Sequence, residues 1–291
     1  MDTYLEEHDT YRDVQAFGSC HTYTSFIPAV LEENTGLSSY VYANPGEIIP
    51  TTYVRMVEQF KRHVPKVAVL DIWGINAYET YDETEEILEE YMPLNVQMLP
   101  NSKEKRELIN DFESLDYWEM CFPISQYKAR LINGTLTALD FEYDVEDLGE
   151  YSIDWIVTQM KKRQSANGFV YQRPQLVEDY YTKQLHVDDD FVVEIEPVIV
   201  KYLEKIIALC EQYDVELILY RAPYLATENE LGKLNHLKQI CQEHDVLFFD
   251  LEQEIDFSVT SDFSDYYHLS PNGAEKATEY LQTYILEAIN N

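Results

Sequence analysis

Positive charge is scarce in this sequence: 21 lysines and arginines stand against 54 aspartates and glutamates, a formal net charge of −33. Such a surface repels phosphate backbones and anionic membranes, so nucleic acid is excluded as the expected partner. Most of that acidity reads as a solvated, solubilising face. No segment has calcium-loop spacing. Cysteine is sparse too, with only Cys20, Cys121, Cys210 and Cys241. They form no Cys-x-x-Cys pair, so neither a zinc-finger site nor a disulfide framework is signalled. No apolar run approaches the ~18 residues of a membrane span. The opening MDTYLEEHDTYRD is acidic and polar, unlike a signal peptide. A soluble chain is expected, in the cytoplasm or as an extracytoplasmic domain whose anchor has been removed. Internal repeats and low-complexity linkers are also missing.

Against these absences, 45% of the residues are apolar and 26% charged, enough to bury a sizeable core. The expected organisation is one domain over residues 1–291. Five short β-rich runs each stop at a turn signal or at the start of a helical segment: 14–17 before Gly18, 39–43 before Asn44-Pro45-Gly46, 67–73 before Gly74, 215–220 before Arg221-Ala222-Pro223, and 246–251. Helical periodicity fills the gaps at 53–63, closed by Pro65, at 197–213 and at 228–244. A final helix opens at Ser270-Pro271, an N-cap followed by proline at the first helical position. Its apolar stripe runs through Ala274, Ala277, Tyr280, Leu281 and Tyr284. Strands alternating with helices predict an α/β chain: a flavodoxin-like three-layer sandwich around a parallel sheet of about five strands. Residues 77–196 are too long for a connection and read as a largely helical insertion. Its Trp118, Tyr127, Lys128, Arg130 and Trp155 fit either a small core of its own or a lid.

Ligands bind beyond the carboxyl ends of strands in open parallel sheets. That rule would gather Gly18-Ser19-Cys20-His21, Asn44-Pro45-Gly46, Gly74-Ile75-Asn76 and Asp265-Tyr266-Tyr267-His268 on one rim. A nucleophile on a sharp turn, nearby amide donors and a histidine oriented by an aspartate are the parts acyl transfer needs. Asp265 would fix the His268 tautomer, with Asp262 as the other candidate acid. His21 would line the pocket. Arg221, after the fourth run, would offer a cation to a carboxylate or phosphate on the substrate, unless it is simply solvated.

In order and spacing these blocks resemble those of SGNH (GDSL-like) hydrolases. Gly18-Ser19-Cys20 stands where that superfamily has Gly-Asp-Ser, Gly46 is the second block, Gly74-Ile75-Asn76-Ala77 the third, and Asp265-Tyr266-Tyr267-His268 the Asp-x-x-His block. Within it, GSCH and DYYHLSPNGA resemble the DltD-like group, related to the protein of teichoic-acid D-alanylation. The resemblance implies the SGNH fold over nearly the whole chain and an oxyanion hole made by the Cys20 N–H, the Gly46 N–H and the Asn76 side chain. It also implies an esterase or acyltransferase that acts through a covalent acyl-enzyme on an ester or thioester, with an acyl-bearing small molecule or a cell-envelope glycan as substrate.

The chain departs from the pattern at Cys20, which stands where the family has its nucleophilic serine. Three readings stay open: Cys20 as nucleophile, Ser19 as nucleophile, or an inactive descendant that binds a glycan or a partner. No motif calls for a metal or an organic cofactor, and oligomeric state is not readable.

Overall fold

A computed structural model describes residues 10–77, 91–121 and 166–290. β1 (Val14–Gly18) leads into two short helices, α1 (Cys20–Ser25) and α2 (Pro28–Thr35). β2 (Ser39–Ala43), α3 (Ile49–Phe60) and β3 (Val67–Asp71) complete a βαβ unit, and Ile72–Asn76 then winds into a 3-10 turn. α4 (Met92–Met98), α5 (Lys103–Asp111), α6 (Tyr117–Cys121) and α7 (Tyr180–Lys183) follow. α8 (Pro197–Tyr213), β4 (Glu216–Arg221), α9 (Glu228–Glu243), β5 (Leu247–Asp250), α10 (Leu251–Glu254) and α11 (Pro271–Asn290) close the chain.

The five strands form one parallel sheet in the order β2-β1-β3-β4-β5, the flavodoxin-like order expected from the sequence. Alternation along each strand feeds two separate cores. Phe17, Tyr42, Leu70 and Leu219 face α3, α8 and α9. Val14, Ala16, Val69, Ile218 and Tyr220 face Phe26, Leu31 and the Ala277–Leu281–Ile285 stripe of α11. Helices therefore cover both faces of the sheet, the three-layer arrangement that near-continuous apolar strands require.

Several expected boundaries move. α3 begins at Ile49, with Pro50 in its first turn, earlier than the helix expected at 53. β3 ends at Asp71, whose carboxylate caps the 3-10 turn by accepting from the Trp73 N–H at 3.1 Å. Ser270 precedes α11, but its hydroxyl donates to the Ser261 carbonyl at 2.6 Å. Within the expected insertion, Met92, Val96, Leu108, Ile109 and Phe112 join the core on the α3 face. A separate small core is thus not what these helices build. Trp118 is exposed, and Tyr127, Lys128, Arg130 and Trp155 lie outside the described residues. Among the described residues no helix is long and apolar enough to cross a membrane.

Candidate active site

The rim begins where β1 ends. Gly18 has φ +133°, and a Cβ there would sit 2.4 Å from the Thr22 hydroxyl and 3.1 Å from the Asp71 carbonyl, so only glycine lets the chain turn this sharply. Gly18→Ala is expected to lower the urea midpoint substantially and to displace residues 19 and 20, as read by chemical denaturation and acyl labelling of the same preparation.

Ser19 follows as the N-cap of α1, its hydroxyl accepting from the His21 N–H at 3.3 Å. It is fully buried, whereas Cys20 is half-buried. The capping geometry thus turns the Ser19 hydroxyl to the backbone and leaves the Cys20 thiol on the accessible side. As the first residue of α1, Cys20 has a backbone N–H with no intrahelical acceptor.

His268 arrives from a tight loop before α11. An antiparallel bridge between Phe263 and Leu269 closes the loop, the Ser264 N–H donates to the His268 carbonyl at 2.9 Å, and the Leu225 N–H donates to the Tyr266 carbonyl at 3.0 Å. Asp265 organises its own turn, accepting from the backbone N–H of Tyr267 at 2.7 Å and of His268 at 2.9 Å. Both its oxygens also lie 3.0 Å from His268 Nδ1, which fixes a tautomer with Nε2 facing outward from the pair. Asp262, the other candidate acid, is engaged by Lys276 and the Ser258 N–H.

Burial alone would push the His268 imidazolium down. The hydrogen bond to Asp265 and the interaction with the nearby Cys20 side chain outweigh it, and its pKa is pushed up to about 10. Burial likewise raises Asp265, but its hydrogen bonds to the His268 ring and to two amides hold it below its ordinary value. Nε2 of His268 has no partner in strict hydrogen-bond geometry. It nonetheless faces Cys20: one ligating atom each from Cys20, His21 and His268 lie within 4.8 Å of one another.

His21 forms the wall behind this pair. Its ring stacks on Trp73 with centroids 5.2 Å apart, meets Tyr224 edge-on at 5.1 Å and lies 5.2 Å from the His268 ring. Burial, and secondarily the charges of His268 and Arg221, hold its pKa well below 6.5, so it is neutral. Tyr224 links this wall to Asn76, whose Nδ2 lies 3.0 Å from the Tyr224 hydroxyl while Oδ1 is buried without a partner. Turning the amide over would let the hydroxyl donate to Oδ1 and free Nδ2 as a donor. Gly46 lies in the turn after β2 with φ +58°, where a Cβ would strike the Tyr91 ring at 2.5 Å. The turn is tied to the rim, since the Asn44 N–H donates to the Gly18 carbonyl at 3.3 Å.

Arg221 is buried in an ion pair and does not face a substrate. It was expected as a cation offered to substrate, but it is 1% exposed. Its Nη1 donates to Asp250 at 3.0 Å and to Glu252 at 2.6 Å, and Nη2 to the Tyr224 carbonyl at 2.9 Å. Arg221 and Asp250 are paired across β4 and β5. Two carboxylates already neutralise the guanidinium, which makes it a structural ion.

Asp71 is the residue the sequence reading missed. It lies at the end of β3, fully buried, and accepts from the N–H groups of Trp73 and Ala222, each at 3.1 Å. Burial pushes its pKa up to about 7 against the lowering effect of those amides, Arg221 and His268. Asp71→Ala strands two buried donors and is expected to cost about 2–6 kcal/mol, read as a lower urea midpoint at unchanged slope. Because its folded pKa is raised, Asp71 stabilises fully below about pH 4, its ordinary range, and that contribution is lost as pH rises to about 7. The stability of wild type relative to Asp71→Asn is therefore expected to fall across that window.

A protein-family profile matches residues 161–290, less than half of the chain, and no curated protein matches. Among solved structures the chain is similar to a candidate acylhydrolase from Bacteroides fragilis, at 11% identity and TM-score 0.46, covering 99% of this chain and 97% of that one. It is also similar to a candidate lipolytic protein of the G-D-S-L family from Desulfitobacterium hafniense, at 9% identity and TM-score 0.45, covering 93% and 97%. A GDSL-like lipase from Bacteroides thetaiotaomicron matches at 9% identity and TM-score 0.42, covering 99% and 96%.

Proposed function

We propose that the chain is an SGNH-type esterase or acyltransferase that works through an acyl-enzyme on Cys20. The observation that supports this most is the alignment of three side chains: Asp265 holds His268 Nδ1 at 3.0 Å, and the remaining imidazole nitrogen faces the half-buried Cys20 sulfur.

With His268 protonated, Cys20 attacks as the thiolate. A carbon–sulfur bond forms at the ester carbonyl, and the oxyanion is met by the Cys20 N–H, with the Gly46 N–H and Asn76 Nδ2 as the other donors. Collapse breaks the carbon–oxygen bond, and the leaving alkoxide takes the Nε2 proton. Neutral His268 then removes a proton from water or an acceptor hydroxyl, which attacks the thioester and releases the thiolate. Ser19 is disfavoured as the nucleophile because its hydroxyl caps α1 and is fully buried. The DltD-like likeness of the sequence motifs makes a cell-envelope glycan hydroxyl the first acceptor to try.

The test is p-nitrophenyl acetate turnover in wild type, Cys20→Ala, Cys20→Ser and Ser19→Ala. Turnover is expected to vanish with Cys20→Ala and to persist in any Ser19→Ala protein that stays folded. Absence of turnover in all four with a panel of acyl esters would instead favour a binding module on a degraded site.

A further inference from the structure

We infer that Cys20, His21 and His268 form a binding site for a divalent transition ion of the zinc class. Their ligating atoms lie within 4.8 Å of one another. In a tetrahedral zinc site with metal–ligand bonds of about 2.0–2.3 Å, neighbouring ligand atoms are roughly 3.3–3.7 Å apart. A shift of about 1 Å in the side chains therefore closes the cluster on an ion.

Two independent features point to such a ligand. The first is unsatisfied polarity: His21 is 3% exposed, and its Nδ1 is buried without a hydrogen-bond partner among the described residues. A buried nitrogen without a partner is costly and calls for an explanation, a bound water or ion among them. The second is the outer support: Asp265 binds the far nitrogen of His268, the carboxylate–histidine arrangement that orients imidazole ligands at zinc centres. One thiolate and two imidazoles suit zinc over magnesium or calcium, which take oxygen ligands. Three protein ligands leave a fourth position open to solvent on the half-buried Cys20 side.

This inference rests on the geometry and not on the acyl-enzyme reading. The two meet only in their consequence: an ion on Cys20 and His268 occupies the atoms that acylation needs, so metal and acyl reagent should compete.

Cobalt(II) is the spectroscopic probe and zinc(II) the competitor, added to chelator-treated full-length protein. One equivalent of cobalt is expected to bind with a thiolate-to-cobalt charge-transfer band and the intense visible bands of a tetrahedral site, both removed by one equivalent of zinc. Cys20→Ser should lose the charge-transfer band, His21→Ala and His268→Ala should each weaken binding more than tenfold, and Asp265→Asn about 10–100-fold. No stoichiometric binding overturns the inference. So does a charge-transfer band that survives Cys20→Ser, which would place the ion on Cys121, Cys210 or Cys241, or affinity unchanged in His21→Ala, which would place it elsewhere on the acidic surface. Acyl labelling in chelator-containing buffer separates the two readings: labelling without metal binding leaves the acyl-enzyme standing alone, and metal binding without labelling does the reverse.

Discussion

Replacing His268 with alanine will lower the rate of acyl-enzyme formation by at least ~10³-fold while leaving the folded structure in place. The expected size follows from what the ring supplies. It carries the proton that the leaving group needs, and its charge sits beside the sulfur. General acid–base assistance alone is typically about 10²–10⁴-fold, and members of a catalytic constellation that act as a unit lose most of the rate when any one is removed. Asp265→Asn should follow the same direction more weakly, because the amide can donate to Nδ1 and favour the wrong tautomer. Single-turnover acylation by an alkyl ester, whose leaving alkoxide needs that proton, followed by intact-protein mass spectrometry beside circular dichroism, checks both. Acylation unchanged in His268→Ala would remove the imidazole from the mechanism.

Arg221→Met is expected to be strongly destabilising. Removal of the guanidinium leaves Asp250 and Glu252 facing each other with side-chain exposures of only 14% and 4%, and strips the Tyr224 carbonyl of its donor. Breaking one side of a buried ion pair costs about 3–5 kcal/mol, a fall of roughly 10 °C in Tm for a chain of this size. The pH dependence is a second handle. Burial already raises the Glu252 pKa, opposed chiefly by Arg221, so without the arginine it rises further. A carboxyl group with a raised folded pKa stabilises below its unfolded value and loses that contribution as pH rises. The penalty in Arg221→Met should therefore grow from mildly acidic to neutral pH. Equal penalties at both would mean that Glu252 is already relieved by water.

The sheet was legible because each apolar run is short and punctuated, and because strands buried on both faces read as continuous apolar runs. Boundaries failed where capping is local and three-dimensional: Pro50 moves the start of α3 back to Ile49, and the Asp71 carboxylate ends β3 by capping the next turn. The fate of residues 92–121 was not legible, since short apolar segments do not reveal which core they join. At the site, the Asp265–His268 pairing was readable because both residues lie in one turn. Arg221 was misread because its partners come from the neighbouring strand and the helix after it, and pairing across a sheet leaves no local signature. The same reasoning explains why spacing gave no sign of a metal site. Cys20 and His21 are adjacent, but the third ligand comes from the far end of the chain.

The most direct test of the account is to trap the adduct of wild-type protein with p-nitrophenyl acetate at acidic quench and to locate it by peptide mapping. The account predicts one acetyl group, on Cys20, labile to hydroxylamine as a thioester is and absent from Cys20→Ala. An acetyl ester on Ser19, or adducts spread over Cys121, Cys210 and Cys241 with none on Cys20, would contradict it.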